Sequence, residues 1–181
     1  MKDTVKFRRY DEDIDLDRLW AVYSNYATQI HLTATKPYNS KHQFAEEIKR
    51  NISYVYRELF IVYDDQNDYL GFVIAYDHSA NDGTVKLVVY IAEEVRGTAY
   101  AGIVAMRFIG LLFKYYSIRK VYSEVYGFND ESIRCHKTLG FEQEGCYRED
   151  HFYDGKYWDT YVFSYRREEF FKKFSRLIKD E

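Results

Sequence analysis

A mixed α/β domain on a largely antiparallel sheet is the fold class this sequence predicts, and three observations carry the prediction. Hydrophobic periodicity switches repeatedly between strand alternation and helical spacing, in the order βααβββαβαββ followed by a tail helix. One long apolar helix falls between two strand-like segments, Val85–Ile91 and Lys120–Tyr126, which makes a single crossover among otherwise short connections. No internal repeat, low-complexity stretch or linker interrupts the 181 residues, and Pro37 is the only proline, so residues 1–181 read as one domain.

The elements follow in order. Thr4 to Tyr10 alternates as a first strand. Ile14, Leu16, Leu19, Trp20 and Tyr23 recur at helical spacing behind the acidic Asp11–Asp13 cluster, which suits a helix N-terminus. Ser40-Lys-His-Gln43 has the form of a capping box and opens a helix with Phe44, Ile48 and Ile52 on one stripe. Leu59–Tyr63 and Tyr69–Tyr76 are strands around the turn Asp64–Asp68, and Asn81-Asp-Gly83 is a turn into the strand at 85–91. The helix from Tyr100 to about Tyr116 carries Val104, Phe108, Leu111, Leu112 and Tyr115 at helical spacing. Lys120–Tyr126 is a strand, and Asp130–Leu139 a short helix ended by Gly140. Phe141–His151 and Tyr157–Tyr165 form a closing hairpin across Asp154-Gly155, and residues 166–181 a charged C-terminal helix with Phe170, Phe171, Phe174 and Leu177 on one side.

Composition excludes several classes of function. A formal net charge of −3 gives no electrostatic footprint for nucleic acid. No apolar run reaches the length of a membrane span, and the N-terminus has no apolar signal core, so a cytoplasmic setting is expected. Cys135 and Cys146 provide neither a disulfide framework nor metal-ligand spacing, and no metal is expected. The 20 tyrosines fit core and half-exposed strand positions, or a Tyr-rich cleft for a polar small molecule.

Two strand–turn–helix units stand out. In the first, Val85–Ile91 leads through Arg96-Gly-Thr-Ala-Tyr-Ala101 into the long helix; in the second, Ser123–Asn129 leads into Glu131–Phe141. A helix that opens just beyond a strand presents free N–H groups and a positive dipole end, which suits a phosphate.

These residues resemble the GNAT superfamily of acetyl-CoA-dependent N-acetyltransferases, and within it the RimJ/RimL-type branch. Arg96-x-x-Ala99-x-Ala101 matches the family's Q/R-x-x-G-x-G/A, with Ala99 where Gly is usual. Asn129, Ser132 and Leu139-Gly-Phe141 match its second motif, and Asp154-Gly-Lys-Tyr-Trp-Asp159 resembles a hairpin segment common in the RimJ/RimL branch. The resemblance implies a twisted sheet of about seven strands flanked by helices, with the fourth and fifth strands splayed so that pantetheine inserts between them. Coenzyme A is then expected to meet Val88, Val89 and Tyr90 on the strand, Arg96, Gly97, Thr98, Ala99, Tyr100, Ala101 and Gly102 at the pyrophosphate, and Asn129 at the pantetheine. Asn129 could equally cap the following helix, or do both.

The resemblance also implies catalysts. Glu124, five residues before Asn129, corresponds to the base of the RimI-type pattern, although a solvated strand-edge Glu is the plainer alternative. His136 stands where many relatives have a Tyr that protonates the leaving thiolate, and could instead face coenzyme A without acid duty. Lys86 replaces a Glu found on the fourth strand in another branch; it either contacts an anionic group of the acceptor or is solvated. Tyr26, His31, His151 and Tyr153 fall in the regions that shape the acceptor side in the family, with a surface role as the alternative for each.

The expected reaction is acetyl transfer from acetyl-CoA to a primary amine of a small molecule or a protein N-terminus, by direct attack in a ternary complex. A polyamine acceptor would require carboxylates lining the cleft, for which Glu46, Glu47 and Glu149 are candidates. By analogy the partners are acetyl-CoA and an amine, with neither nucleic acid nor membrane, and a homodimer through the Tyr-rich hairpin. The departures at Lys86, Ala99 and His136 keep a second class open, a catalytically silent acyl-CoA-binding or interaction module on the same scaffold.

Overall fold

A computed structural model describes residues 5–32, 38–53 and 58–174. Asp11 caps the first helix, α1 (Glu12–Ser24), by accepting the Asp13 amide at 3.0 Å. That helix follows β1 (Lys6–Arg9). A short helix that the sequence spacing did not single out, α2 (Tyr26–Leu32), comes next. Ser40 opens α3 (Lys41–Ser53): its Oγ accepts the Gln43 amide at 3.1 Å, and the Gln43 side chain returns to the Asn39 amide at 3.4 Å, one residue before the cap.

Three strands then run as a meander: β2 (Glu58–Tyr63), β3 (Tyr69–Ser79) and β4 (Thr84–Ile91). A single 3-10 turn, Glu93–Val95, also unexpected from the sequence, precedes α4 (Tyr100–Tyr115). After β5 (Lys120–Tyr126) and α5 (Asp130–Leu139), the hairpin β6 (Glu142–Tyr153) and β7 (Lys156–Arg166) leads into α6 (Arg167–Phe174). The hairpin turn places Asp154 and Gly155 at φ 52° and 78°, the double positive φ of a type I′ connection. Asp159 accepts the Glu149 amide at 2.9 Å across the β6 bulge, which gives the Asp154–Asp159 segment a structural purpose. Thr4 of the expected first strand and Leu177 of the expected tail stripe lie outside the described residues.

The sheet has the order β1-β2-β3-β4-β5-β7-β6. Every neighbouring pair is antiparallel except β4 and β5. Strand alternation sends side chains to two cores. On one face Leu19 and Tyr23 of α1 and Phe44 and Ile48 of α3 pack on Leu59, Ile61, Phe72 and Ile74. On the other face α4 contributes Val104, Phe108, Ile109 and Leu112 against Val85, Leu87, Val121 and Val125, and Phe170 of α6 closes this core on Phe113 at 5.5 Å.

Two expected core positions are instead exposed, Ile14 at 62% and Tyr115 at 66%. At α1 the reason is a polar residue that takes the inward place. Asp15 is fully buried, pairs with Arg8 at 2.7 Å and accepts the Asp11 amide at 2.9 Å. Among the described residues no helix is long and apolar enough to cross a membrane.

The feature that positions the site is the parallel pair. β4 and β5 match only at Thr84↔Lys120, Val85↔Val121 and Lys86↔Tyr122. Beyond Lys86 and Tyr122 they part, while β4 stays paired with β3 as far as Ile91 and β5 with β7 as far as Tyr126. The splay of the fourth and fifth strands is therefore present.

Breaking the buried Arg8–Asp15 pair tests the account of α1. Asp15→Ala is expected to cost about 3 kcal/mol in urea unfolding, the low end for a broken buried pair because Arg8 stays partly solvated. A loss below about 1 kcal/mol, the scale of surface pairs, would refute it.

Candidate functional site

The parted strands open a cleft of about 480 Å³. One wall is the unpaired edge of β4 from Leu87 to Ile91, the other is β5 from Ser123 to Tyr126 together with α5, and one end is the loop before α4.

That loop is shaped by its own hydrogen bonds. The Thr98 hydroxyl donates to the Val95 carbonyl at 2.6 Å and accepts the Tyr100 amide at 3.3 Å. The first backbone bond of α4 runs from the Ile103 amide to the Ala99 carbonyl, and a helix leaves its earlier amides without carbonyl partners. Gly97 adopts φ +74°, and a Cβ there would meet no atom within 4 Å, so open space lies in front of the loop. Arg96 is held at the rim by its Nε–H on the Ile91 carbonyl at 3.2 Å and by Glu93 at 3.5 Å. Free amides, a positive helix end, a bare backbone and a fixed guanidinium together fit an anionic phosphate group.

Arg96, Gly97, Thr98 and Ala101 line the cleft, as do Val88, Val89, Tyr90 and Asn129. Ala99 is the N-cap at φ −69°, a right-handed conformation open to any residue, so its methyl group in place of the family's Gly strains nothing. Tyr100 is half-buried and packs on the α4 core rather than into the cleft. At Gly102 a Cβ would come within 3.0 Å of Leu139 Cδ2, so its smallness seats α4 against α5, while its amide precedes the first backbone bond of the helix.

On α5, Asn129 is indeed the N-cap, its Oδ1 accepting the Ser132 amide at 3.1 Å, which leaves its side-chain nitrogen as a donor at the cleft wall. His136 sits one level deeper, between Phe141 and Phe163 at centroid distances of 4.7 and 5.1 Å. Its Nδ1 is 2.8 Å from the Ser132 carbonyl, which can only accept, so Nδ1 carries the proton. Its Nε2, 2.9 Å from Ser123 Oγ, then accepts from that hydroxyl. Burial pushes its pKa down despite the Ser132 bond. With Nδ1 protonated, the imidazole turns a lone pair, not a proton, toward the cleft side, where the resemblance implied a proton donor.

The even-numbered residues of β4 and β5 face the opposite side. Glu124 pairs with Lys86 at 3.0 Å, and Lys86 with Asp77 at 3.3 Å. Asp77 reaches it from a bulge in β3, at φ 50°. Burial opposes the Lys86 charge, but the bonds to Glu124 and Asp77 outweigh it and hold the ammonium above its ordinary pKa. Burial, with the Glu124 charge adding to it, pushes the Tyr76 phenol up to about 12.

Beside this charged group lies an aromatic cluster centred on Phe128, which meets His31 at 5.5 Å, Tyr153 at 4.5 Å, Trp158 at 5.7 Å and His151 at 5.9 Å. Burial, with Arg96 adding to it, pushes the His31 pKa down. His31, His151 and Tyr153 are thus brought together, and His31 lines the cleft. Tyr26 is not part of the cluster; it is 54% exposed on α2. Glu46, Glu47 and Glu149 do not line the cleft, and the carboxylates that do are Glu124 and Glu131. Ser123, Tyr76 and Phe128 escaped the sequence reading. Strand alternation around Glu124 was the one signal that could have placed Ser123 on the α5 side. Among the described residues no group of three or more His, Cys, Asp or Glu could hold a metal ion.

Comparison with known proteins agrees with this geometry. The family model for the acetyltransferase (GNAT) domain matches residues 11–162. The SPbeta prophage-derived uncharacterized N-acetyltransferase YokL of Bacillus subtilis is 33% identical over 111 residues, 61% of this chain and 63% of its own length. The match therefore spans less than two thirds of that relative. Spermidine N(1)-acetyltransferase of Vibrio cholerae is 25% identical over 125 residues, 69% of this chain and 72% of its own. In fold, the chain superimposes on spermidine N-acetyltransferase from Vibrio cholerae, solved in complex with CoA and spermine, with a TM-score of 0.84, 21% identity and coverage of 92% and 97% of the two chains. The relatives named do not single out the RimJ/RimL branch.

Two measurements check the local assignments. Gly102→Val should lower stability by about 1–3 kcal/mol, as overpacking does, through its clash with Leu139. By nitrogen NMR the neutral His136 imidazole should be the Nδ1–H tautomer, and it should take up its second proton at a lower pH than an ordinary histidine.

Proposed function

The chain belongs to the GNAT acetyltransferase family, and from that membership we propose that it is an acetyl-CoA-dependent N-acetyltransferase, moving the acetyl group to the primary amine of a small molecule or a protein N-terminus by direct attack in a ternary complex. The observation that carries this reading is the parting of β4 and β5 onto the bare Gly97 loop and the open N-terminus of α4. Coenzyme A supplies the acyl group as an activated thioester. Its anionic end suits the α4 amides and Arg96, and its amide-bearing arm suits the unpaired edge of β4 at Val88–Tyr90, as an added strand would.

Glu124 is the base, acting on the amine directly or through a water. Lys86 holds it in place and keeps its charge compensated. His136 turns its Nε2 lone pair rather than a proton toward the cleft and is not assigned the protonation of the leaving thiolate, so positioning carries that half of the reaction. The amine approaches from the side of Lys86, His31 and the Phe128 cluster.

Spermidine is the acceptor to test first, because a relative is named for it. Against it stand the absence of Glu46, Glu47 and Glu149 from the cleft and the engagement of Glu124 by Lys86, both of which favour an acceptor with less positive charge. The hairpin Asp154–Asp159 supports placement in the RimJ/RimL branch, and the exposed Tyr147, Phe152 and Tyr157 on β6 and β7 support a homodimer. A silent acyl-CoA-binding module remains the second reading, on the strength of the lone pair that His136 turns to the cleft and the tied Glu124.

Acetyl-CoA at a hundredfold excess over its dissociation constant should stabilise the protein by about 2.7 kcal/mol, and Ala101→Trp should abolish that effect. Glu124→Gln should lower amine-dependent thiol release by about 10²–10⁴-fold while leaving the stabilisation intact. Stabilisation without thiol release on any amine would favour the silent module, and no stabilisation would end both readings.

A further inference from the structure

Ser123 lines the cleft on the α5 side and has no part in the transfer reaction above. We infer that Ser123 and His136 form a nucleophile–base pair that provides a second activity, the hydrolysis of an acyl-CoA thioester through an acyl-Ser123 intermediate when no amine is bound. The inference rests on the cleft accepting an acyl-CoA.

Ser123 is the first residue of β5 beyond its last match with β4, so it lies where the neighbouring strand has just withdrawn. Its Oγ is 2.9 Å from His136 Nε2, and His136 Nδ1–H donates to the Ser132 carbonyl at 2.8 Å. With Nδ1 protonated, the Ser123 proton points at Nε2, and the oxygen lone pairs are left for the cleft. A hydroxyl, an imidazole and a third group that fixes the tautomer are the parts by which serine is activated elsewhere, here with a backbone carbonyl in place of a carboxylate. The ring is also clamped by Phe141 and Phe163. Burial pushes the His136 pKa down, which makes the imidazolium formed on accepting the Ser123 proton a ready donor to a thiolate. Glu124 points to the other face of the sheet, toward Lys86, so the two sites do not share a base.

The step balances as follows. A lone pair on Ser123 Oγ attacks the thioester carbonyl carbon, a C–O bond forms, and the hydroxyl proton passes to Nε2. The C–S bond breaks with its electron pair on sulfur, which takes the proton from Nε2. Water then adds to the acyl ester and gives a proton to Nε2. The ester C–O bond breaks, Ser123 recovers that proton, and the acid is released. Thioester and water become carboxylic acid and thiol.

The test is acetyl-CoA turnover by the full chain without amine, read as thiol release and as intact mass after rapid quenching. Wild type should release thiol slowly and gain one acetyl group that peptide mapping assigns to Ser123. Ser123→Ala should reduce the release to the buffer rate, and His136→Gln should lower it by about 10²-fold or more, the range for a lost general base. Both variants should still be stabilised by acetyl-CoA, which separates lost chemistry from lost binding or folding. Release unchanged in Ser123→Ala, an acetyl group mapped only to a lysine or the N-terminus, or no release above buffer from a wild type that acetyl-CoA stabilises would overturn the inference and leave the transferase reading standing. A wild type that acetyl-CoA does not stabilise would overturn both.

Discussion

The separation of β4 from β5 is the constraint on which the rest of the molecule depends. Two parallel strands joined by one crossover helix share only three matched residue pairs, yet each stays paired with its outer neighbour to its far end. The sheet therefore opens in the middle while its flanks stay continuous. Backbone groups left unpaired inside a sheet must find partners elsewhere, and an extended, amide-bearing ligand is a natural one. The same opening exposes the start of α4 at one end and Ser123 at its apex.

Strand alternation then divides the cleft chemically. The face toward α4 and α5 carries Ser123 and a half-buried His136, while the opposite face carries Lys86, Glu124 and Asp77 in one charged group. Phosphate-compatible groups are confined to the loop end at Arg96 and Gly97. Glu124 and the Ser123–His136 pair therefore lie on opposite sides and have separate partners. Burial acts on both faces: it pushes the His136 pKa down, and it opposes the Lys86 charge, which the contacts with Glu124 and Asp77 compensate.

The cores on either side hold this arrangement in place. α1 and α3 bury one face of the sheet with an aromatic-rich cluster, and the inward Asp15 ties α1 to β1 through Arg8. α4 and α6 bury the other face, and the contact of Gly102 with Leu139 sets how near α5 approaches α4. The smallness of Gly102 thus fixes the distance between the helices beside the cleft.

The sequence by itself determined the strands and most helices, because periodicity, caps and turn residues are local: Ser40 and Gln43 bracket α3, Asp154-Gly155 turns the last hairpin, and Gly140 ends α5. It also located the two strand–helix units and, through them, the family. Its lapses were at α2, the 3-10 turn and the exposed Ile14 and Tyr115, where packing overrides pattern. What only the tertiary structure decided were relations between distant residues. Lys86 and Glu124 are 38 positions apart and become an ion pair only through the short parallel register, and His136 gains its tautomer from Ser132 and its partner from Ser123. Local composition encodes which way a strand or helix faces; protonation, pairing and the gap between two strands arise only once separate elements are packed against one another.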